Sequence, residues 1–442
     1  KNSNTSLRLN YIYDKRYAFE GDLVLMGSNR FYKDNRYFLS GAAGAGWIIS
    51  NEDFLKDNEN INFLKLKASF GIVGFDAGTD FLLYNTSWGN GSEFPIGEKN
   101  DTKGVYSVNF IRIGNPDLKW ERSTEYNIGI EGFLFKNRLR FEANYFNELR
   151  DNIISSKSAV QAAVLGPFAS SANVGKVRNN GIELDLSWND RNGDFSYQIG
   201  TNLIWSKNKL LKWNEIDYKD DGMRTVGKPT DVIMGYKALG LFGKDVPLEG
   251  HPYQTLGNYK EGDIAYEDMN GDKIIDERDK VVIGNNFPRV AWGIDLNLQY
   301  KNGGLYVLGT SELGVDVVKN NSYYWMKGEQ KYSTVALDRY HPENNPDGWY
   351  PSLTTTQGDN NFVNSTYWTE SASFFRLKNV ELSYTFSSKR DNSIVKKVKF
   401  FSRGTNLFVL SSIKELDPEV MNAGITNYPV CRTITGGVTL TF

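Results

Sequence analysis

Long stretches of the chain alternate apolar and polar residues with a period of two. In residues 181–189, Leu184 and Leu186 alternate with Glu183 and Asp185. The same alternation recurs in residues 195–206, 291–300 and 379–386. A period of two is typical of a β-strand with one apolar and one polar face, whereas an amphipathic helix requires a spacing near 3.6. The pattern therefore predicts an all-β protein.

The alternation predicts about thirteen strands. We expect them near 5–13, 17–26, 38–49, 63–72, 121–135, 138–149, 180–189, 194–206, 290–300, 304–312, 374–386, 397–408 and 432–442. Tight turns are expected at 14–16, 136–137, 190–193 and 301–303, and long connections at 73–120, 150–179, 207–289, 313–373 and 409–431. Short and long connections thus alternate. This is typical of a transmembrane antiparallel β-barrel, which has short periplasmic turns at one rim and long extracellular loops at the other.

The composition is compatible with such a barrel and excludes several other classes. The mean hydropathy is −0.47, and no apolar run approaches the roughly 18 residues that a membrane-spanning helix needs. Barrel strands average out as polar, and an aromatic content of 14% suits girdles at two membrane interfaces. The net charge of −2 argues against a nucleic-acid partner, and the single Cys431 cannot form an internal disulfide.

The two ends of the chain suggest a piece of a larger barrel. The chain begins at Lys1 without an initiator Met or signal peptide, so we expect it to be a portion of a longer protein. In the last expected strand, alternate residues share one apolar face and the chain ends on an aromatic side chain: Ile434, Val438, Leu440 and Phe442. A buried strand can also end in Phe. An apolar edge strand that pairs with the first strand of a closed barrel explains the pattern better.

Five stretches resemble the SusC/RagA family of TonB-linked transporters from Bacteroidota. They are NPDLKWE (115–121), NVGKVRNNGIELDLSW (173–188), EGDIAYEDMNGDKIIDERDKVVIG (261–284), TYWTESASFFRLKNVELSYTF (366–386) and YPVCRTITGGVTLTF (428–442). They occur in the family's order and are spread over nearly the whole chain. No single stretch is specific, but together they are.

The resemblance implies a barrel of roughly 22 strands closed around an N-terminal plug, of which residues 1–442 would supply the C-terminal barrel portion without the plug. It also implies a SusD-like lipoprotein lid, energy from TonB–ExbB–ExbD through the N-terminal part, and Phe442 as the signal for the barrel-assembly machinery. The expected location is the outer membrane of a Gram-negative, Bacteroidota-like bacterium, in contact with its lipid.

The sequence does not predict an enzyme. Its two histidines, His251 and His341, lie in expected loops, and no nucleophile elbow, HExxH helix or phosphate-binding glycine loop occurs. Cys431 stands beside Arg432, which can lower a thiol pKa, but no His lies near it in sequence. We expect this thiol to be incidental.

Aromatic residues in the expected extracellular loops are candidate substrate contacts, because aromatic faces with amide neighbours can stack on sugar rings or hold peptide side chains. They are Trp88, Tyr323, Tyr324, Trp325, Trp349 and Tyr350. The alternative is that these rings pack the loops onto each other or onto a lid protein.

The acidic loop 268–279 is a candidate calcium site. Oxygen donors fall at the spacing of a twelve-residue calcium loop: Asp268, Asn270, Asp272, the carbonyl of Ile274, Asp276 and Asp279. Two departures weaken the match. Lys273 stands where the motif has Gly, and Asp279 stands where it has the longer Glu. The alternative is a solvated acidic turn.

Two functions from different classes fit the sequence. The first is active, TonB-dependent import of an oligosaccharide or peptide through the outer membrane. The second is a secreted or surface β-rich binding or adhesion protein. The alternating loop lengths, the terminal Phe442 and the resemblance favour import, whereas residue types alone do not identify the substrate.

Overall fold

The structure is a computed structural model that describes residues 2–98, 101–156, 171–218, 222–326, 328, 331–353, 360–388, 394–421, 428 and 430–442. One large antiparallel sheet of thirteen strands dominates it, and the strands are ordered as in the sequence. The strands are β1 (Asn2–Tyr13), β2 (Tyr17–Ser28), β3 (Tyr37–Ile48), β4 (Ile61–Phe75), β5 (Glu121–Leu134), β6 (Leu139–Ser156), β7 (Ser171–Asn192), β8 (Phe195–Lys212), β9 (Val290–Tyr300), β10 (Gly303–Leu313), β11 (Phe374–Ser387), β12 (Lys397–Ser411) and β13 (Thr433–Thr441). The prediction of an all-β chain with about thirteen barrel-type strands is confirmed.

The remaining elements are short and lie in the connections. A separate hairpin pairs Ser87–Glu98 with Asp101–Arg112. Small two-stranded sheets pair Val232–Gly235 with Val281–Asn285, Ala238–Leu241 with Ile264–Tyr266, Tyr253–Gln254 with Ile274–Ile275, and Asp316–Val318 with Thr369–Ser371. The 3₁₀ helices among the described residues are Lys33–Asn35, Ile49–Asn51, Glu277–Asp279 and Thr334–Asp338. No helix in the described ranges is long and apolar enough to cross a membrane.

The tight turns lie at one end of the sheet. Asn192 pairs with Phe195, and Tyr300 pairs with Gly303, so each of these hairpins turns through two residues. Gly193 and Lys301 have φ of 61° and 51°. A two-residue hairpin requires positive φ because its twist must match that of the flanking strands. The turn expected at 190–193 therefore begins later than predicted, because ladder pairing continues to Asn192.

The connections at the other end are long, with one exception. They span 76–120, 157–170, 213–289, 314–373 and 412–432, whereas residues 29–36 between β2 and β3 form a short link at that same end. Several strands extend further towards this end than predicted. β7 begins at Ser171, whereas the predicted start was residue 180. Backbone pairing with β6 already includes the residues that precede the alternating stretch, several of which are polar.

The register separates the two faces of the sheet. Leu184 lies opposite Leu203, and Asp185 lies opposite Asn202. Residues directly opposite each other in an antiparallel pair have side chains on the same face. Continued across β7, β8 and β9, this register places these apolar residues on one face: Leu184, Leu186, Ile199, Leu203, Ile294 and Leu296. The polar residues Glu183, Asp185, Asn202 and Gln299 lie on the other.

The polar face carries ion pairs that cross neighbouring strands. Nζ of Lys67 on β4 lies 3.1 Å from Oε2 of Glu131 on β5 and 2.5 Å from Oε1 of Glu142 on β6. On the same face, further along the sheet, Glu381 of β11 pairs with Lys399 and Arg403 of β12 at 2.7 and 2.5 Å. Because these pairs connect side chains on a single face, they all support the same register.

The sheet has two free edges. In the described chain, β1 pairs only with β2 and β13 only with β12, so the sheet is open. Thirteen strands alone were not expected to close, and they do not. Both edges carry apolar side chains, including Leu7, Leu9 and Val438, that are about half exposed or more.

The largest buried core of the described chain lies outside the sheet, in a body that we call the cap. It consists of the described residues of 213–289, 314–373 and 412–421. Its buried apolar residues come from all three connections and are Tyr236, Leu241, Ile264, Tyr266, Ile275, Val317, Val318, Tyr324, Met326, Ala336, Tyr340, Tyr350, Phe362, Trp368, Ala372, Ile413 and Met421. A smaller core of Phe31, Leu83, Leu118 and Trp120 links 29–36 to 76–120.

The two faces of β7 yield a matched test of register. If the apolar face meets lipid, Leu184→Arg should destabilise the folded protein in bilayers by roughly 2–4 kcal/mol, the cost of a cation near the membrane midplane. Asp185→Arg introduces the same side chain one residue away on the opposite face and should be nearly neutral. Unfolding in lipid vesicles measures both. Equal losses for the two variants, or a larger loss for Asp185→Arg, would contradict the register.

Candidate functional site

The cap is held together by aromatic packing around Trp368. This side chain is fully buried, and its indole N–H donates to the Asn361 carbonyl at 2.6 Å. The ring centroids of Tyr350 and Phe362 lie 5.7 and 6.4 Å from that of Trp368, the former edge-on and the latter stacked. These distances are typical of favourable aromatic pairs. The described residues between 350 and 368 thereby pack around one buried ring.

A buried polar network ties two of the cap connections together. The Gln254 side-chain amide donates to Asn360 Oδ1 at 2.7 Å, and the Asn361 amide donates to Asp263 Oδ1 at 2.7 Å. The Asn360 amide in turn donates to the Ile264 carbonyl at 3.0 Å. Burial raises the pKa of Asp263 above its usual range. Buried polar groups are costly unless paired, so these bonds fix the relative position of the two connections.

The cap contains a cavity of about 760 Å³ that is open to solvent. Five separate chain segments line it, and its wall contains aromatic, aliphatic, amide and charged side chains: Met234, Tyr236, Thr255, Leu256, Asp276, Glu277, Arg278, Lys280, Trp325, Phe362, Val363 and Asn364. A cavity of this size with aromatic walls and a few convergent polar groups has the character of a ligand site. It is the candidate functional site of the described chain.

The structure distributes the predicted aromatic residues over different environments. Trp325 lines the cavity, while Trp349 packs against Trp368 with ring centroids 6.4 Å apart. Tyr323 is partly exposed, and its hydroxyl lies 3.4 Å from that of Thr334. Trp88 is 56% exposed on the separate hairpin, away from the cap core. Of these four predicted residues, the structure therefore places only Trp325 in the cavity wall.

The other two predicted aromatics are fully buried. The Tyr324 hydroxyl donates to Glu415 at 3.1 Å, and the Tyr350 hydroxyl donates to the Tyr324 carbonyl at 2.6 Å. These contacts favour the alternative that both rings pack the loops together. Sequence reasoning missed Tyr236 and Phe362. Nothing in their local sequence distinguishes them, because the cavity exists only once distant segments have packed.

The predicted calcium loop is folded tightly around its own backbone. Asp268 accepts from the N–H groups of Gly271 and Lys273 at 2.7 and 2.8 Å, and Asn270 accepts from that of Asp272 at 2.9 Å. Lys273, at the position where the motif has Gly, has a φ of 64°. The backbone thus makes the sharp turn without glycine.

The carboxylates of this loop are satisfied by protein groups. The Arg278 guanidinium lies 2.6 Å from Asp272 and 2.9 Å from Asp276. Asp279 is fully buried and accepts from the N–H groups of Met269 and Asp276 at 2.8 Å each. Within the described residues, no three Asp, Glu, His or Cys side chains are arranged to hold a metal ion. The donors therefore do not converge in this conformation, and calcium binding by Asp268, Asn270, Asp272, Ile274, Asp276 and Asp279 stays a prediction.

The remaining residues singled out from sequence lie at the surface or in turns. His341 Nδ1 accepts from the N–H groups of Glu343 and Asn344 at 3.2 Å, which suits a structural role. Cys431 is exposed. Phe442 directly follows β13 and is 69% exposed, and it continues the alternation of Val438 and Leu440 on the apolar face.

Comparison with known proteins gives the same fold. The family model described as "TonB dependent receptor-like, beta-barrel" matches residues 4–407. The chain is 30% identical to TonB-dependent receptor P26 of Formosa agariphila over 98% of its own length and 45% of the receptor's. It is 28% identical to TonB-dependent receptor SusC of Bacteroides thetaiotaomicron, over 98% of its own length and 43% of that protein.

Among solved structures, the chain superimposes on a chain of the RagAB peptide transporter with a TM-score of 0.79 and 21% identity, over all of this chain and 47% of that one. The chain thus spans less than half the length of the relatives it matches. The family match extends over most of the thirteen-stranded sheet and includes the cap connections 213–289 and 314–373. The chain therefore belongs to the family of TonB-dependent receptor β-barrels and is similar to its SusC and RagA members.

Proposed function

We propose that the chain is the C-terminal barrel portion of an outer-membrane importer that takes up an oligosaccharide or a peptide in a TonB-dependent manner. The observation that carries the proposal is the open thirteen-stranded sheet with one apolar and one charged face. An apolar outer band around a polar interior is what a bilayer requires of a barrel. A secreted adhesion protein has no need of such a face, so this alternative is not favoured.

The complete barrel would require strands that this chain does not contain. The two free edges at β1 and β13 fit a wall of about 22 strands closed around a plug supplied by the rest of the protein. TonB–ExbB–ExbD would act through that plug-bearing part. The chain's coverage of only 43–47% of its relatives supports this division.

A SusD-like lipoprotein is the proposed partner at the extracellular mouth. The similarity to SusC and to a chain of the RagAB transporter supports this pairing. The substrate would enter between this lid and the cap. Trp88, Tyr323, Trp325 and Trp349 remain proposed substrate contacts, of which Trp325 lines the cavity in the cap.

Uptake by whole cells tests the import proposal. Deletion of the full-length gene should abolish uptake of a labelled oligosaccharide or peptide that wild-type cells import. Dissipation of the proton-motive force should have the same effect in cells that retain the gene. The protein itself should fractionate with the outer membrane and require detergent for release. Full uptake in the deletion strain, or recovery of the protein in a detergent-free soluble fraction, would contradict the proposal.

Phe442 is proposed as the recognition signal for the barrel-assembly machinery. Its exposed ring on the outward face of the edge strand is free to meet such a partner. Deletion of Phe442 should lower the amount of protein in the outer membrane several-fold, whereas Phe442→Tyr, which keeps an aromatic ring, should preserve it. Immunoblots of outer-membrane fractions report the amounts. Wild-type levels in the deletion strain would rule out this role.

Calcium binding by loop 268–279 is a further proposal. Binding would require Arg278 to leave Asp272 and Asp276, so that the carboxylates could turn towards a cation. Titration of the purified full-length protein with calcium should then show one site that is lost in Asp268→Ala. Arg278→Ala should strengthen binding because it removes the competing guanidinium. Absence of binding at millimolar calcium in both wild type and Arg278→Ala would disprove the site.

A further inference from the structure

A group of cations extends the apolar face of β7 and β8 towards the long connections. On β8 these cations lie on the side of Trp205, and on β7 on the side of Ile182, because residues two apart in a strand share a face. Lysine and arginine thus continue the alternation where the apolar residues end. We call the group the basic patch, and its members are Lys176, Arg178, Lys207, Lys209 and Lys212.

Like charges lie directly opposite each other in the basic patch. Arg178 pairs with Lys209 in the ladder, and Lys176 pairs with Lys212 after a one-residue shift of register. Directly opposite side chains have Cβ atoms about 4.5–5.5 Å apart, and like charges at such positions destabilise a sheet. Two such pairs in succession indicate that an anion from outside the chain compensates the charge.

The chain itself supplies no such anion in the part that the structure describes. None of the five cations forms an ion pair there, and all except the half-buried Lys176 are exposed. Asp151 of β6 lies on the same face, but Arg122 already donates to both of its carboxylate oxygens, at 3.0 and 2.6 Å. The basic patch therefore offers uncompensated positive charge at the surface.

Aromatic side chains adjoin the basic patch on its apolar side. Trp205 precedes Lys207 by two residues and pairs with Ile182, which in turn pairs with Tyr145 of β6. The rings of Tyr145 and Tyr126 have centroids 6.4 Å apart. In membrane proteins, such rings concentrate at the boundary between hydrocarbon and lipid headgroups. With the apolar face against lipid, the basic patch lies at the level of the headgroups.

We propose that the basic patch binds the phosphate group of an outer-leaflet lipid, whose acyl chains lie along the adjoining apolar residues. An anion shared by Arg178 and Lys209 would replace their repulsion by two attractions, and a guanidinium can bind phosphate through two parallel hydrogen bonds. The inference rests on the proposed outer-membrane location and adds a specific lipid partner to it. A lipid fits better than a partner protein, because the cations directly continue the apolar stripe that would meet acyl chains.

Native mass spectrometry of the full-length protein in detergent tests the basic patch. The probes are diphosphorylated lipid A, the same lipid after enzymatic removal of its phosphates, and inorganic phosphate. The phosphorylated lipid should bind about tenfold or more tightly than either of the others, because only it offers both phosphate and acyl chains. The double variant Arg178→Gln/Lys209→Gln should weaken this binding about thirtyfold, since each cation near an anionic lipid contributes about fivefold.

A matched control removes the same charge from the other end of the sheet. Lys15 and Lys136 are exposed lysines in the tight turns between β1 and β2 and between β5 and β6. The double variant Lys15→Gln/Lys136→Gln should bind the phosphorylated lipid like wild type. Equal weakening in this control would show that only the net charge matters and would overturn the proposal.

Thermal stability separates lipid binding from a structural role of the cations. In lipid-free detergent, Lys209→Glu should raise the melting temperature or leave it unchanged, because it places a carboxylate opposite Arg178. The phosphorylated lipid should raise the melting temperature of the wild type but not that of Lys209→Glu. Lower melting temperatures for both Lys209→Glu and Arg178→Gln/Lys209→Gln without lipid would show that these cations serve the fold alone, which would overturn the proposal.

Other outcomes would also contradict a lipid site. They are equal binding of the dephosphorylated lipid, equal stabilisation by inorganic phosphate, and undiminished lipid binding by Arg178→Gln/Lys209→Gln. Loss of a protein partner from that variant, with lipid binding intact, would assign the basic patch to the partner instead. The import proposal is judged separately by uptake in the deletion strain, because lipid binding is measured on purified protein that is not transporting.

Discussion

Register in the antiparallel ladder is the constraint on which the rest of the structure depends. Side chains alternate across a strand, so a slip by one residue would exchange the two faces of β7 and move Glu183 and Asp185 to the side that carries Leu203. Ion pairs on the polar face oppose such a slip, since Lys67 reaches carboxylates on both β5 and β6. Each ion pair contributes only modestly to the free energy of unfolding where water reaches it. Their arrangement on one face, together with the apolar stripes on the other, defines a single pairing.

The chain is stabilised in two different ways. In the part of the chain that the structure describes, the sheet has no packed apolar interior of its own, since one face is polar and many side chains on the other remain exposed. The cap instead resembles a small globular protein, with Trp368 at the centre of an aromatic core and a buried amide network around Gln254 and Asn361. The sheet therefore depends on its surroundings for burial, whereas the cap buries its own apolar side chains and rigidly defines the cavity.

Sequence reasoning predicted the sheet well because its signal is local. The strand at 290–300 was predicted to the residue, and the other sheet strands were found with boundaries that differ mainly at the ends facing the long connections. The predicted start of β7 was nine residues too late. The stretch that contains Asn173 and Asn179 does not alternate in hydropathy, yet it pairs with β6. Backbone hydrogen bonding requires no particular side chain, so a pattern of hydropathy cannot mark where pairing stops.

The candidate site was less predictable, because its chemistry depends on contacts between distant segments. Trp325 was identified as a ring in a loop, but whether such a ring packs inward or faces a cavity depends on partners such as Phe362 that adjoin it only in the folded cap. Likewise, the spacing of acidic residues after Asp268 is correct for a calcium loop, and only the structure reveals Arg278 between the carboxylates. Local spacing thus identifies which residue types are available, and tertiary packing decides their roles.

The cap core contains residues from three separate connections, and this affects the order of folding. Its contacts, such as those between Tyr324 and Glu415 or between Gln254 and Asn360, join residues separated by about a hundred positions. Closing loops of that length costs entropy that a few contacts cannot recover. Hairpins form from neighbouring residues and carry no such cost. We infer that the hairpins β9–β10 and β11–β12 form first. Pairing of β8 with β9 and of β10 with β11 then closes the long connections and brings them to one rim, so that the cap orders after the sheet.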